Sequence, residues 1–82
     1  MPIELYQDVI LTVDRPTEGL CAGDVGTLVD RHVVPGKEEG WSVEFFDMTG
    51  RTVAVVTAPA SLFRLPTAAD RPTTRTLQSA GA

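Results

Sequence analysis

The chain is built from short runs of β-branched and apolar residues, each ended by glycine or proline before it reaches the length of a stable helix. This punctuation limits the fold more than any other feature. Branched side chains favour the pleated backbone, and glycine and proline end strands and make turns. Asp8-Val9-Ile10-Leu11-Thr12-Val13 reads as a first strand, broken at Arg15-Pro16-Thr17-Glu18-Gly19 by a loop that runs on to Gly23-Asp24. A second strand runs from Val25 to Val33, and Gly26 within it is expected to mark a bulge or bend. After the polar turn Pro35-Gly36-Lys37-Glu38-Glu39-Gly40, Trp41-Ser42-Val43-Glu44-Phe45 alternates apolar and polar residues, as a half-buried strand does. Val53-Ala54-Val55-Val56-Thr57 supplies a fourth strand. Pro59-Ala60-Ser61-Leu62-Phe63 has the length of a single 3₁₀ turn, and Phe63-Arg64-Leu65 that of a closing strand.

Register can be argued for the hairpin of residues 41–57. A three-residue loop, Met48-Thr49-Gly50, sets Asp47 against Arg51, Phe45 against Val53 and Val43 against Val55. All its large apolar residues except Phe46, Met48 and Val56 then share one face. A four-residue loop exchanges the faces, so the hydrophobic pattern selects the shorter one. Gly50 takes the left-handed position such loops require. In this register Trp41 faces the core, while Phe46, Glu44 and Val56 face outward.

With 82 residues the chain holds one small domain, expected over residues 1–65. Residues 66–82 are rich in Thr, Ala, Ser and Pro, and Leu77 is their only large apolar residue. Such a segment does not offset its ordering entropy, so a disordered, flexible tail is expected there. Residues 1–65 carry ten carboxylates against five basic side chains, a charge near −5. That field repels a polyanion and attracts a basic protein. Nucleic-acid binding through phosphate neutralisation is therefore not expected. No apolar run approaches the ~20 residues of a membrane span, and the start lacks the pattern of a secretory signal. The single cysteine, Cys21, permits no internal disulfide and suits a reducing compartment. The expected location is cytoplasmic.

Five short strands, a long first loop and a 3₁₀ turn before the last strand resemble an all-β, five-stranded Src-homology-3-like barrel. Gly23-Asp24-Val25-Gly26-Thr27-Leu28-Val29 is similar to the glycine-containing core of KOW-type barrels. The chain more closely resembles the bacterial family known as domain of unknown function 4926. The matching residues are Leu5-Tyr6-Gln7-Asp8-Val9, Gly19, Gly23-Asp24-Val25-Gly26-Thr27, Val43-Glu44-Phe45 and Asp47-Met48-Thr49-Gly50-Arg51-Thr52. The resemblance brings no catalytic residue and no cofactor. Some relatives look like partners of small toxin-like proteins encoded beside them, which implies an antitoxin or immunity-type role. Two other roles are open to such barrels: a KOW-like module of the transcription or translation machinery, and an accessory barrel of a metalloenzyme.

No motif in the chain carries catalytic chemistry. His32 is the only histidine, and no serine or cysteine nucleophile pattern accompanies it in sequence. Cys21 lies near Glu18 and Asp24, whose charge disfavours a thiolate. Gly19, Gly23 and Gly26 lead into a strand with carboxylates alongside, unlike a phosphate loop, which opens a helix. The carboxylates do not follow calcium-loop spacing, and zinc ligands are too few. The expectation is a non-catalytic protein-binding module without metal or cofactor, whose basic partner is the product of a neighbouring gene. Phe46, flanked by Glu44 and Val56, is the expected anchor, and Glu38 and Glu39 the steering charges.

Overall fold

The computed structural model describes residues 3–76. Five antiparallel strands run β1 (Asp8–Leu11), β2 (Val25–His32), β3 (Gly40–Phe46), β4 (Thr52–Pro59) and β5 (Phe63–Arg64). They form one sheet in the order β4-β3-β2-β1-β5, curled into a half-barrel of Src-homology-3-like type. The 3₁₀ turn Ala60–Leu62 precedes β5, and a second one, Pro16–Glu18, lies in the first loop. Only the latter was not expected: Pro16 presets its first turn, and Gly19 ends it with a left-handed φ of 72°.

Strand β1 stops at Leu11, two residues before the expected end. Beyond it the chain turns, and Thr12 gives both its backbone N–H and its hydroxyl to the Leu62 carbonyl, at 2.9 and 2.8 Å. The core consists of Val9, Leu11, Leu20, Leu28, Trp41, Val43, Phe45, Val56, Ala58 and Phe63. Trp41 and Phe63 stack with centroids 5.9 Å apart, which ties β3 to the short closing strand.

Gly26 does not mark a bulge. It pairs regularly with Val9 on one side and Phe45 on the other. A Cβ there would lie 2.5 Å from Val43 Cγ1 and 3.0 Å from the Glu44 carbonyl, so glycine is required by close approach. The irregularity falls at Val29, where the ladder passes from Leu28↔Val43 to Asp30↔Ser42. An unpaired extra residue of this kind bends and twists the strand, which helps the sheet curl.

The β3–β4 turn is as the sequence implies. Gly50 has φ 88°, Asp47 donates its N–H to the Arg51 carbonyl at 2.8 Å, and Phe46 pairs with Thr52. The Asp47 carboxylate accepts from Thr49 N–H, Thr49 hydroxyl and Arg51 N–H, which closes the loop. The expected register then fails. The ladder shifts to Phe45↔Ala54, Glu44↔Val55 and Val43↔Val56, with Val53 as the extra residue. One inserted residue exchanges the faces of everything beyond it. Val56 and Ala58 enter the core, while Val53 and Val55 face outward. The expectation of an outward Val56 is corrected: it is 4 % exposed.

Residues 66–76 form no strand or helix. Two arginine–carboxylate pairs hold this segment to the sheet: Arg64 with Asp70 at 2.8 Å and Arg75 with Asp24 at 2.7 Å. Ile10 is buried although it stands outside the core cluster, in a groove it shares with Pro66, Asp70 and Pro72. Leu77 and the rest of the expected tail, residues 77–82, lie outside the described residues.

Candidate partner-binding groove

The expected site residues do not form one surface. Glu39 is half-buried and engaged inside the fold. Its carboxylate takes both Nε and Nη2 of Arg31 at 2.7 Å, and the Trp41 indole N–H at 2.5 Å. The Arg31 guanidinium, with the Trp41 N–H, holds the Glu39 carboxyl at about 2, below its usual 4.5. Glu38 is exposed but accepts the Ser61 backbone N–H at 2.8 Å, satisfying a donor of the 3₁₀ turn. Ala60 N–H reaches the Glu39 carbonyl at 2.9 Å. This pair of glutamates thus clamps the β2–β3 turn to the approach of β5. Glu39 is paired with Arg31 inside the fold, whereas Glu38 keeps an exposed charge that is unpaired among the described residues.

The outer face of β2, β3 and β4 carries polar side chains at one end and apolar ones at the other. At the polar end Ser42 Oγ lies 2.9 Å from His32 Nε2 and 2.7 Å from Thr57 Oγ1. The Asp30 carboxylate is 3.9 Å from the same His32 nitrogen. Residues ten apart in sequence meet here because the β2 bulge sets Asp30 opposite Ser42. A catalytic relay needs the acid on the other ring nitrogen, where it orients the imidazole. Here hydroxyl and acid share one nitrogen, and the cluster is a polar seam across three strands. Among the described residues no three metal-ligating side chains converge.

At the other end Phe46 faces outward as expected, 44 % exposed, and Thr52 gives its hydroxyl to Glu44. Phe46 does not stand alone. The bulge turns Val53 out beside it, Met48 projects from the hairpin tip, and Val25 faces outward from β2. These residues line one wall of a groove, and the first loop, with Glu18, Leu20 and Asp24, lines the other. The structure therefore joins the hairpin aromatic and the acidic first loop into one site. Of the missed members only Val53 was hidden by the register, which placed it inward; Met48 already stood off the core face, and Val25 lies on β2, outside the hairpin whose register was argued.

The first loop is held from within. Arg15 and Leu20 exchange two backbone hydrogen bonds. Ala22 N–H donates to Asp14 Oδ1 at 2.9 Å, and Cys21 N–H to Asp24 Oδ2 at 2.9 Å. Leu11 N–H reaches the Asp24 carbonyl, and Gly23 N–H the Leu11 carbonyl. Partial burial raises the Asp24 pKa, but Arg75 and the Cys21 N–H outweigh it, and the net displacement is downward. Asp24 thus presents a fixed, ionised carboxylate at the groove's edge.

In class the chain is a small curled all-β half-barrel that carries an apolar-walled groove with carboxylates at its edge. The family model of the domain of unknown function DUF4926 matches residues 5–65, and the chain belongs to that family. That span covers every strand, both walls of the groove and Asp24, and it leaves out residues 71–75, which also line the groove. No curated protein and no solved structure matches the chain. No helix among the described residues is long and apolar enough to cross a membrane.

Proposed function

We propose that this chain is a non-catalytic protein-binding module that takes a basic partner into the groove between the first loop and the β3–β4 hairpin. The observation that supports the reading is the clustering of outward Phe46, Met48, Val53 and Val25 beside the carboxylates of Glu18 and Asp24. The apolar side chains supply desolvation at the centre, and the carboxylates supply orientation at the rim. The net charge near −5 on residues 1–65 favours encounter with a positively charged surface. The partner is the product of a neighbouring gene, and an antitoxin-type neutraliser acting in the bacterial cytoplasm is the form this role takes. The test is capture of that gene product, followed by affinity measurements on variants. Phe46→Ala weakens binding by about 2 kcal/mol or more if the ring is an anchor. It leaves the fold intact, since the ring is exposed. A variant that binds as the natural chain does sinks this groove as the interface.

A further inference from the structure

Part of the groove's lining comes from the chain after β5. Residues 72–75 line the groove, and Arg75 ends this stretch on the first loop. Its Nε donates to Asp24 Oδ1 at 3.1 Å and its Nη2 to Asp24 Oδ2 at 2.7 Å. The same Nη2 donates to the Gly19 carbonyl at 3.1 Å. Two carboxylate oxygens and one carbonyl thus meet the planar fork of a guanidinium, an arrangement that a lysine ammonium cannot reproduce.

The receptor belongs to the barrel, and its occupant is only tethered to it. Asp24 stays oriented through Cys21 N–H, and the Gly19 carbonyl is presented by the turn that Pro16–Glu18 and the left-handed Gly19 form. The segment that supplies Arg75 adds no strand to the sheet. Among the described residues its only backbone–backbone hydrogen bond runs within itself, from Asp70 N–H to the Thr67 carbonyl. Arg71 likewise turns back on the segment, donating to the carbonyls of Ala68 and Asp70. The Arg64–Asp70 pair anchors the start of the segment, and Arg75 holds its far end, residues 72–75, in the groove.

We infer that Asp24 and the Gly19 carbonyl form an arginine receptor, that the partner docks there through an extended arginine-bearing segment, and that residues 72–75 are an internal stand-in which this segment displaces. The inference rests on the groove being the partner-binding site and specifies what enters it. A tether of about ten residues from β5 to Arg75 gives the internal arginine a millimolar effective concentration. Weak ligands are excluded at that level, and a partner that adds contacts to Phe46 and Met48 overcomes it. The tail thereby sets a threshold on which arginine-bearing segments enter.

The experiment uses the full chain and the Arg75→Ala chain. The probe is an acetylated, amidated peptide of residues 68–76, titrated by two-dimensional NMR. The peptide is expected to bind Arg75→Ala about fivefold or more tighter than the natural chain, because the internal competitor is gone. The backbone amides of Gly19, Cys21, Asp24 and Phe46 should shift. Lysine at the peptide's last arginine should weaken binding about tenfold. Adding Asp24→Asn to Arg75→Ala should abolish binding, while the amide oxygen still accepts from Cys21 N–H and keeps the loop folded. Equal binding to both chains, indifference to Asp24→Asn, or no binding at millimolar peptide overturns the inference. The two readings fail separately. Partner capture that depends on Phe46 while the peptide does not bind removes the arginine receptor and leaves the binding module. Peptide binding at Asp24 with partner capture indifferent to Phe46 retains the receptor and removes the groove as the partner's interface.

Discussion

Gly26 and Gly50 both lie in or beside the β-ladder, yet a methyl group harms them for different reasons. At Gly50 nothing lies within 4 Å of an added Cβ, and the cost is the left-handed φ of 88°. At Gly26 the backbone conformation admits a side chain, but the Cβ meets Val43 and the Glu44 carbonyl. Side chains can yield; the carbonyl is held in a ladder and yields less. Gly26→Ala is therefore expected to cost about 1–3 kcal/mol and Gly50→Ala about 1 kcal/mol. In a domain this small, 1 kcal/mol moves the thermal midpoint by about 4–8 °C, so a melt by circular dichroism ranks the two. Glu39 offers a second residue-scale test. Its folded-state pKa is depressed from 4.5 to about 2, so its contribution is fully present above pH 4.5 and is lost as pH falls through about 2. Midpoints measured against pH should show Glu39→Gln less stable than the natural chain at neutrality. The gap should close between about pH 4.5 and 2. A gap independent of pH would mean that the carboxylate's charge does not act through Arg31 and Trp41.

At the scale of the element, the β3–β4 hairpin carries most of the functional geometry, and Val53 decides it. The turn obeys its own chemistry through Gly50 and the Asp47 carboxylate. One extra residue then turns Val53 and Val55 out and Val56 in. Valine and threonine have nearly the same shape, so substitution tests the register with little change in packing. Val56→Thr buries a hydroxyl in the core and should cost about 1–3 kcal/mol. Val55→Thr meets solvent and should stay within about 0.5 kcal/mol. Denaturant melts of the two variants decide the matter, and the unbulged register predicts the reverse order. The bulge also creates the groove wall, because only an outward Val53 completes the apolar surface with Phe46 and Met48.

For the whole molecule, the question is how far the chain after β5 takes part in the fold. Its two ion pairs set exposed guanidiniums against partly buried carboxylates, so they contribute modestly and are partly screened by salt. It also covers one side of Ile10. A chain ending at Pro66 should therefore fold, with its thermal midpoint lowered by less than about 10 °C. Differential scanning calorimetry checks this. Loss of the cooperative transition would show that the barrel needs the segment. The charge distribution agrees with such a division, since the acidic barrel carries near −5 and the segment after it near +1. The excess charge of the segment is opposite in sign to the surface on which it lies.

The sequence alone determined the all-β class, five strands in their order, the β3–β4 turn and the 3₁₀ turn before β5. Each rests on local chemistry: β-branched runs, a left-handed glycine, a proline. It also marked Phe46 as outward, because the apolar–polar alternation of residues 41–45 puts Phe46 on the same side as Glu44. Which face β4 buries depended on a bulge, and a bulge is a bargain between two strands that neither strand's pattern records. The same holds at Gly26, whose need for a missing Cβ comes from Val43 and Glu44 of the neighbouring strand. Glu39 looked free because its partner Arg31 reaches it only across the β2–β3 ladder, and the Ser61 N–H that Glu38 accepts is 23 residues away. The groove arose only when curling brought the first loop against the hairpin and Arg75, 51 residues from Asp24, closed on it. Local chemistry sets the conformation of each segment, while the surfaces that meet a partner are made by residues distant along the chain, and only the folded sheet brings those together.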